Sequence, residues 1–124
     1  FSVPYCVAVG FVRGDAGLKE FDEKSINDKE ILKLASKVNY EIDPNNEYPK
    51  NYTGTLVCKT FDKEITEHQP YFRGGIKEPL TKDDIDKKYN ANINYSRITE
   101  DNKKSLNNFI ETLFDNPDFS KINF

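Results

Sequence analysis

Residues 1–17 have the sequence FSVPYCVAVGFVRGDAG, an almost unbroken apolar stretch at the start of the chain. Ser2 is a residue type that caps helices, and Pro4 suits a first helical turn, where no backbone donor is needed. We therefore predict a helix over residues 3–13 that ends near Gly14 and is apolar nearly all round. A helix of this kind is buried on most of its sides, so this stretch is expected to decide where the core lies.

The next third of the chain predicts short elements around a polar loop. Residues 18–21 are expected to form one short turn, and Asn27 or Asp28 precedes the apolar spacing of a second helix. The alternation of apolar and polar residues over 38–42 indicates a strand. Residues 43–51 have the composition of a loop.

The remaining elements complete an α+β order. Two β-rich runs, 53–61 and 63–68, predict a hairpin or an adjacent antiparallel pair. Thr81-Lys-Asp-Asp84 resembles a capping box and predicts a helix to about residue 92. Thr99 is expected to cap a last amphipathic helix, which Asp115-Asn-Pro117 stops before a tail that either docks or frays. We predict a small antiparallel sheet with helices packed against it.

Composition excludes several classes of function. The 124 residues carry a formal charge of -3, and acids and bases are mixed along the chain. Without a basic face, nucleic acid is not an expected partner. The first apolar stretch is too short to span a bilayer and lacks the preceding basic residues of a signal sequence. Because position 1 is not Met and the chain opens within a core helix, we expect it to be a piece of a longer chain.

Few residues of the chain have the chemistry of a catalytic or metal site. His68 is the only histidine, so we predict no metal site and interpret it as an exposed strand residue. Cys6 and Cys58 lack metal-like spacing and favour reduced thiols in an intracellular protein, with a disulfide between them as the alternative. The acidic residues of 83–86 fit the first turn of a helix, where the dipole favours negative charge.

Two residues remain as candidates for a functional role. Tyr5 is a phenol at the N-terminal end of the apolar helix, and a buried tyrosine usually finds a hydrogen-bond partner. Its alternative role is to contact a substrate or to move a proton. Arg73 precedes Gly74 and Gly75 in a turn that can present donors to an anion, although a tight bend alone explains the glycines.

Several segments in series resemble one family. They are FSVPYCVAVGFVRGDAGLKEF, SINDKEILKLASKV, VNYEIDP, YPKNYTGTLVCKTFDKE and RGGIKEPLTKDDIDKKYNANI, followed by an amphipathic helix. Their order and spacing over residues 1–115 are similar to the C-terminal part of the MmgE/PrpD family, which includes 2-methylcitrate dehydratase, cis-aconitate decarboxylase and iminodisuccinate epimerase. The resemblance implies a lid-domain portion over residues 1–98. Residues 99–124 would be a C-terminal helix and tail packing on a missing all-helical N-terminal domain.

The resemblance also implies a function. The parent enzyme is expected to be a lyase that dehydrates a 2-hydroxy tricarboxylate such as 2-methylcitrate, in propionate catabolism by the methylcitrate cycle. The alternatives are the decarboxylase, the epimerase, or a non-catalytic α+β binding or assembly module. Aligned on Arg13-Gly14 at the end of the helix, Tyr5 matches a tyrosine that lines the active site in the decarboxylase branch of the family. Arg73 matches a glycine-containing loop and is a candidate anion contact.

Further expectations follow from the same resemblance. The substrate would be a small tri- or dicarboxylate, with no cofactor and no metal. The full-length protein would be a homodimer in the cytoplasm, or in the mitochondrial matrix of a eukaryote. The 124-residue chain alone is expected to be inactive and to expose the apolar surface of residues 3–12.

Overall fold

The computed structural model describes residues 2–115 and residue 120, and the α+β class is confirmed within them. Five α-helices, one 3₁₀ helix and two strands make up the described fold. In chain order they are α1 (Val3–Arg13), the 3₁₀ helix (Leu18–Phe21), α2 (Glu23–Ile26), α3 (Lys29–Ala35), β1 (Gly54–Lys59), β2 (Glu64–Gln69), α4 (Lys82–Tyr95) and α5 (Glu100–Thr112).

Local capping signals set the ends of the N-terminal helices, as the sequence predicts. The Ser2 hydroxyl accepts a backbone N–H of the first turn of α1 at 3.3 Å. Gly14 ends that helix with φ 73°, a left-handed conformation that glycine adopts at little cost. Of the two predicted caps of α3, Asp28 is the one that serves. The start and end of each helix therefore depend on residues within one turn of it.

The C-terminal helices also start at their predicted caps. Thr81 and Asp84 form the capping box of α4, and Thr99 caps α5. Helix α4 extends to Tyr95, beyond the predicted end near residue 92. Helix α5 ends at Thr112. The predicted stop at Asp115-Asn-Pro117 lies outside the described residues from residue 116 on. The predicted docking or fraying of the tail also lies outside them, apart from residue 120.

The sheet is a single antiparallel hairpin. Thr55 lies opposite His68, and Cys58 opposite Ile65. The Thr60 N–H donates to the Lys63 carbonyl at 2.8 Å and closes the turn. The predicted pair of strands is confirmed, and His68 lies exposed on β2 as expected. A two-stranded sheet is marginal by itself in water, and the side chains of both strands are exposed except for the half-buried Cys58.

The strand predicted over residues 38–42 is wrong, because that segment has no regular structure and the sheet of the described chain contains only β1 and β2. The backbone N–H of Val38 donates to the Ala35 carbonyl at 3.1 Å, so the chain is still turning away from α3 at that point. Alternating side chains form a strand only when a neighbouring strand accepts the backbone hydrogen bonds. Within residues 2–115, no such neighbouring strand pairs with residues 38–42.

The core lies between α1 and α3. Tyr5, Ala8 and Val9 are buried on one face of α1, and Ile31 of α3 is fully buried against them. Burial of a side chain such as Ile31 contributes roughly 1.5–3 kcal/mol. The opposite face of α1 is uncovered in this chain: Phe11 is 56% exposed. The helix is thus buried on one side, and not on most sides as its composition predicts.

Candidate functional site

The phenol of Tyr5 is held by the first turn of α1. Ser2 caps the helix and Pro4 occupies its first turn, so Tyr5 shares the buried face with Ala8 and Val9 at helical spacing. Tyr5 is 8% exposed. The same local signals that begin the helix therefore place a hydroxyl at the edge of the core.

The hydroxyl of Tyr5 has one recorded partner. It donates to the backbone carbonyl of Glu20, in the 3₁₀ helix, at 2.7 Å. The ring of Phe21 packs beside it, with ring centroids 5.6 Å apart and an interplanar angle of 56°, a tilted geometry favoured between aromatic rings. The 3₁₀ helix therefore fixes the phenol through its backbone and its neighbouring ring.

Two hydrogen bonds between Gly17 and Glu20 close the turn of the 3₁₀ helix, one from backbone to backbone and one from backbone to side chain. The Glu20 N–H donates to the Gly17 carbonyl at 3.1 Å, and the Gly17 N–H donates to the Glu20 carboxylate at 3.0 Å. Sequence reasoning missed Glu20 as a residue of this site. The signal that was present is a glycine followed three residues later by a glutamate, the spacing at which a carboxylate caps a turn.

The surroundings of Tyr5 keep its hydroxyl protonated. Burial is the largest cause that raises the pKa of Tyr5 above 10.0, and the negative charges of Asp22 and Asp28 raise that pKa further. Arg13 acts in the opposite direction. At neutral pH the side chain is therefore a neutral phenol, with one hydrogen to donate and an oxygen that accepts.

An ion pair joins the two helices of the core. Arg13, in the last turn of α1, pairs with Asp28, the cap of α3. The backbone N–H of Glu30 is the main cause that lowers the pKa of Asp28, and Arg13 contributes to it. This pair connects the helix that carries Tyr5 to the helix that carries Ile31.

Arg73 lies in a tight turn on a different part of the surface. Gly74 has φ 93°, and its N–H donates to the Glu78 carbonyl at 2.7 Å. A Cβ at Gly75 would lie 2.6 Å from the ring of Phe72, so that position has no room for a side chain. Gly74 is thus favoured by the left-handed backbone of the turn, and Gly75 by the close approach of the Phe72 ring.

The guanidinium of Arg73 is paired but not covered. It donates to Asp84 at 2.8 Å, and its side chain is 66% exposed. Asp84 also accepts from Thr81 as part of the capping box. Among the described residues, no hydrogen bond, ion pair or ring contact joins Arg73 to Tyr5, whose partners are Asp84 and Glu20 respectively.

Two grooves are present on the surface of the described residues. One of about 280 Å³ runs between the 3₁₀ helix and α4 and includes Glu20 and Asn92. The other, of about 1020 Å³, lies between α1, residues 37–41 and β1, and includes Phe11 and Cys58. Neither is lined by Tyr5 or Arg73. The larger groove includes Val3, Val7 and Phe11 from the apolar stretch of residues 3–12.

Two observations concern metals and membranes. In the part of the chain that the structure describes, no three His, Cys, Asp or Glu residues are grouped so as to hold a metal ion, and Cys6 and Cys58 are free. Across residues 2–115, no helix is both long and apolar enough to cross a bilayer.

Comparison with known proteins decides the family. The sequence model of the MmgE/PrpD C-terminal domain matches residues 1–113. The chain belongs to the MmgE/PrpD family. Within this family the sequence is similar to cis-aconitate decarboxylase from Homo sapiens, with 27% identity over 121 residues, and to cis-aconitate decarboxylase from Mus musculus, with 27% identity over 124 residues.

The match covers only part of these MmgE/PrpD relatives. Each alignment includes 96% of this chain and 25% of the relative. The chain therefore spans about a quarter of the length of the curated proteins that it matches. The segment containing Tyr5 and the loop containing Arg73 both fall within the region that the family's C-terminal domain covers.

Proposed function

We propose that this chain is the C-terminal domain of a lyase that dehydrates a 2-hydroxy tricarboxylate such as 2-methylcitrate. The observation that carries the proposal is the match of the MmgE/PrpD C-terminal domain over residues 1–113. The two relatives named above support lyase chemistry in general, since a decarboxylase is a lyase. The rest of the complete enzyme would supply an N-terminal domain and the remaining catalytic groups.

Dehydration requires groups of three kinds. A base removes a proton beside a carboxylate, an acid assists departure of the hydroxyl, and cations neutralise the carboxylates. We assign Tyr5 to substrate contact or proton transfer and Arg73 to the binding of a carboxylate. The neutral phenol and the exposed guanidinium support these roles, because a guanidinium has five N–H donors and its recorded pair with Asp84 uses only some of them.

Decarboxylation of cis-aconitate is the second candidate reaction. It is favoured by one observation, the similarity to the human and mouse proteins of that name. The two reactions release different products, since dehydration forms water and a carbon–carbon double bond, whereas decarboxylation forms carbon dioxide. A direct assay of the complete enzyme therefore separates them.

The test is a set of three substrates given to the complete enzyme. Under the proposal, 2-methylcitrate is converted to an unsaturated acid, which is detected by its ultraviolet absorbance and by mass. Release of carbon dioxide from cis-aconitate, without turnover of 2-methylcitrate or citrate, would establish the second candidate. No turnover of any of the three acids would contradict the lyase assignment.

A non-catalytic binding or assembly module makes different predictions for the isolated chain. Under the enzyme proposal, the 124-residue chain is inactive and self-associates or binds the N-terminal domain, because α1 exposes apolar residues such as Phe11. Phe11→Asp should then reduce its self-association in sedimentation velocity. A stable monomer that binds an unrelated protein would favour the binding module.

A further inference from the structure

We propose that Glu20 is a positioning residue for Tyr5. The Glu20 carbonyl accepts the only hydrogen bond that the phenol can donate, so the Tyr5 oxygen faces the substrate as a hydrogen-bond acceptor. The inference rests on the proposed function and deepens it. It identifies which part of the substrate Tyr5 contacts and which side chain fixes that contact.

Two hydrogen bonds in series support the positioning role of Glu20. The carboxylate of Glu20 accepts the Gly17 N–H at 3.0 Å and closes the 3₁₀ turn. The carbonyl of the same residue accepts the Tyr5 hydroxyl at 2.7 Å. Because the side chain of Glu20 closes the turn that carries its own carbonyl, loss of the carboxylate should release the phenol's partner.

The number of hydrogen-bond donors and acceptors on the phenol supports the acceptor role of the Tyr5 oxygen. A phenol has a single hydrogen, and here it is used by Glu20; the oxygen can still accept. An ionised carboxylate has no hydrogen to donate, so it is a poor partner for this oxygen. An alcohol can donate. The geometry therefore points to the hydroxyl of a 2-hydroxy acid as the group that Tyr5 contacts.

The positioning role is tested first by spectroscopy on the 124-residue chain labelled with carbon-13 at the tyrosine Cζ. Tyr5→Phe identifies the Tyr5 signal by removing it. Glu20→Ala should shift that signal toward those of exposed tyrosines such as Tyr40. Glu20→Gln should retain its position, since the amide oxygen still accepts the Gly17 N–H. Glu23→Ala is the matched control and should change nothing.

An unchanged Tyr5 signal would overturn the positioning role. If the Tyr5 signal of Glu20→Ala stays at its original position, Glu20 does not fix the phenol. A variant that has lost its fold is recognised by collapse of all the tyrosine signals to one position. In that case Glu20→Gln decides, because a signal displaced in the folded Gln variant would also contradict the proposal.

Kinetics of the complete enzyme test the catalytic consequence. Glu20→Ala should lower kcat on the order of tenfold with a smaller effect on KM, as misplacement of a contact does. Glu20→Gln should restore most of the rate, and Glu23→Ala should leave it unchanged. Equal rates for the Glu20→Ala and Glu23→Ala variants would overturn the role.

The acceptor role is tested with citrate and tricarballylate, which has the same three carboxylates and no hydroxyl. The unmodified enzyme should bind citrate more tightly, and Tyr5→Phe should lose most of that preference. An unchanged preference in Tyr5→Phe would contradict the acceptor role. If the complete protein is inactive on every acid, the proposed function fails, while the Tyr5 signal still decides the positioning role.

Discussion

Arg73 donates to Asp84 at 2.8 Å, and Asp84 is the residue that completes the capping box of α4. The predicted anion-binding loop is thereby tied to the start of a helix, although its cation is still largely exposed. An exposed ion pair contributes only about 0–1 kcal/mol to stability. The pair can therefore be broken in an experiment without loss of the fold.

Arg73→Ala in the complete enzyme should raise KM for the tricarboxylate roughly tenfold, which corresponds to loss of about one hydrogen bond to a charged group. Steady-state kinetics measure the change. Lys82→Ala is the matched control, because it removes a cation paired with Asp86 on the exposed surface of α4, the helix that contains Asp84. If both variants have the same KM, Arg73 does not bind substrate.

Tyr5→Phe in the complete enzyme should lower turnover tenfold or more, about 1.4 kcal/mol of activation free energy. The physical reason is loss of the only polar atom of a nearly buried side chain. Tyr40→Phe removes a hydroxyl from a side chain that is 68% exposed and is the control. An unchanged rate in Tyr5→Phe would assign the phenol a purely structural role with Glu20.

Ile31→Ala should lower the free energy of unfolding by about 2–5 kcal/mol, because Ile31 is fully buried between α3 and α1. Urea unfolding of the 124-residue chain measures the change. Ile42→Ala deletes the same atoms from a side chain that is 89% exposed, and should change stability by less than about 0.5 kcal/mol. Similar losses in the two variants would place the core elsewhere.

The stability of the chain should fall in acid, and Asp28 should contribute to that fall. The backbone N–H groups of Glu30 and Ile31, followed by the charge of Arg13, lower the pKa of Asp28 below its ordinary value of 3.8. A carboxyl with a depressed pKa contributes stability that is present above the ordinary value and is lost as pH falls through the folded value.

Asp28→Asn isolates this contribution, because Asn also caps helices but does not titrate. Urea unfolding between about pH 6 and about pH 2.5 should show a smaller loss of stability for Asp28→Asn than for the unmodified chain. Glu67→Gln, on the exposed strand β2, is the control for removal of one charge. The prediction fails if Asp28→Asn and the unmodified chain lose stability in parallel.

The features predicted correctly from sequence are those with local causes. Ser2, Asp28, Thr81 and Thr99 cap the helices at which they were expected, because a cap needs only the next turn of the chain. Residues 38–42 have the right alternation for a strand, but the described part of the chain gives them no partner strand. Strand formation depends on pairing, which alternation alone does not reveal.

In the candidate site, too, the feature with a local cause was predicted correctly and the contact between distant residues was not. The sequence places Tyr5 on a buried helix face, and the structure has it there. The partnership with Glu20 joins residues fifteen positions apart through a backbone carbonyl. A carbonyl is present at every residue, so the sequence contains no mark of which one receives the phenol's hydrogen.

Every side chain that is buried in the described part of the chain comes from α1 or α3, both within the first 35 residues. Amide hydrogens in these two helices should exchange with solvent only when the whole chain opens, whereas those in α4 and α5 exchange through separate, smaller openings. A protease acting on such openings would cut the C-terminal helices first. The segment that survives longest would be the one that holds Tyr5.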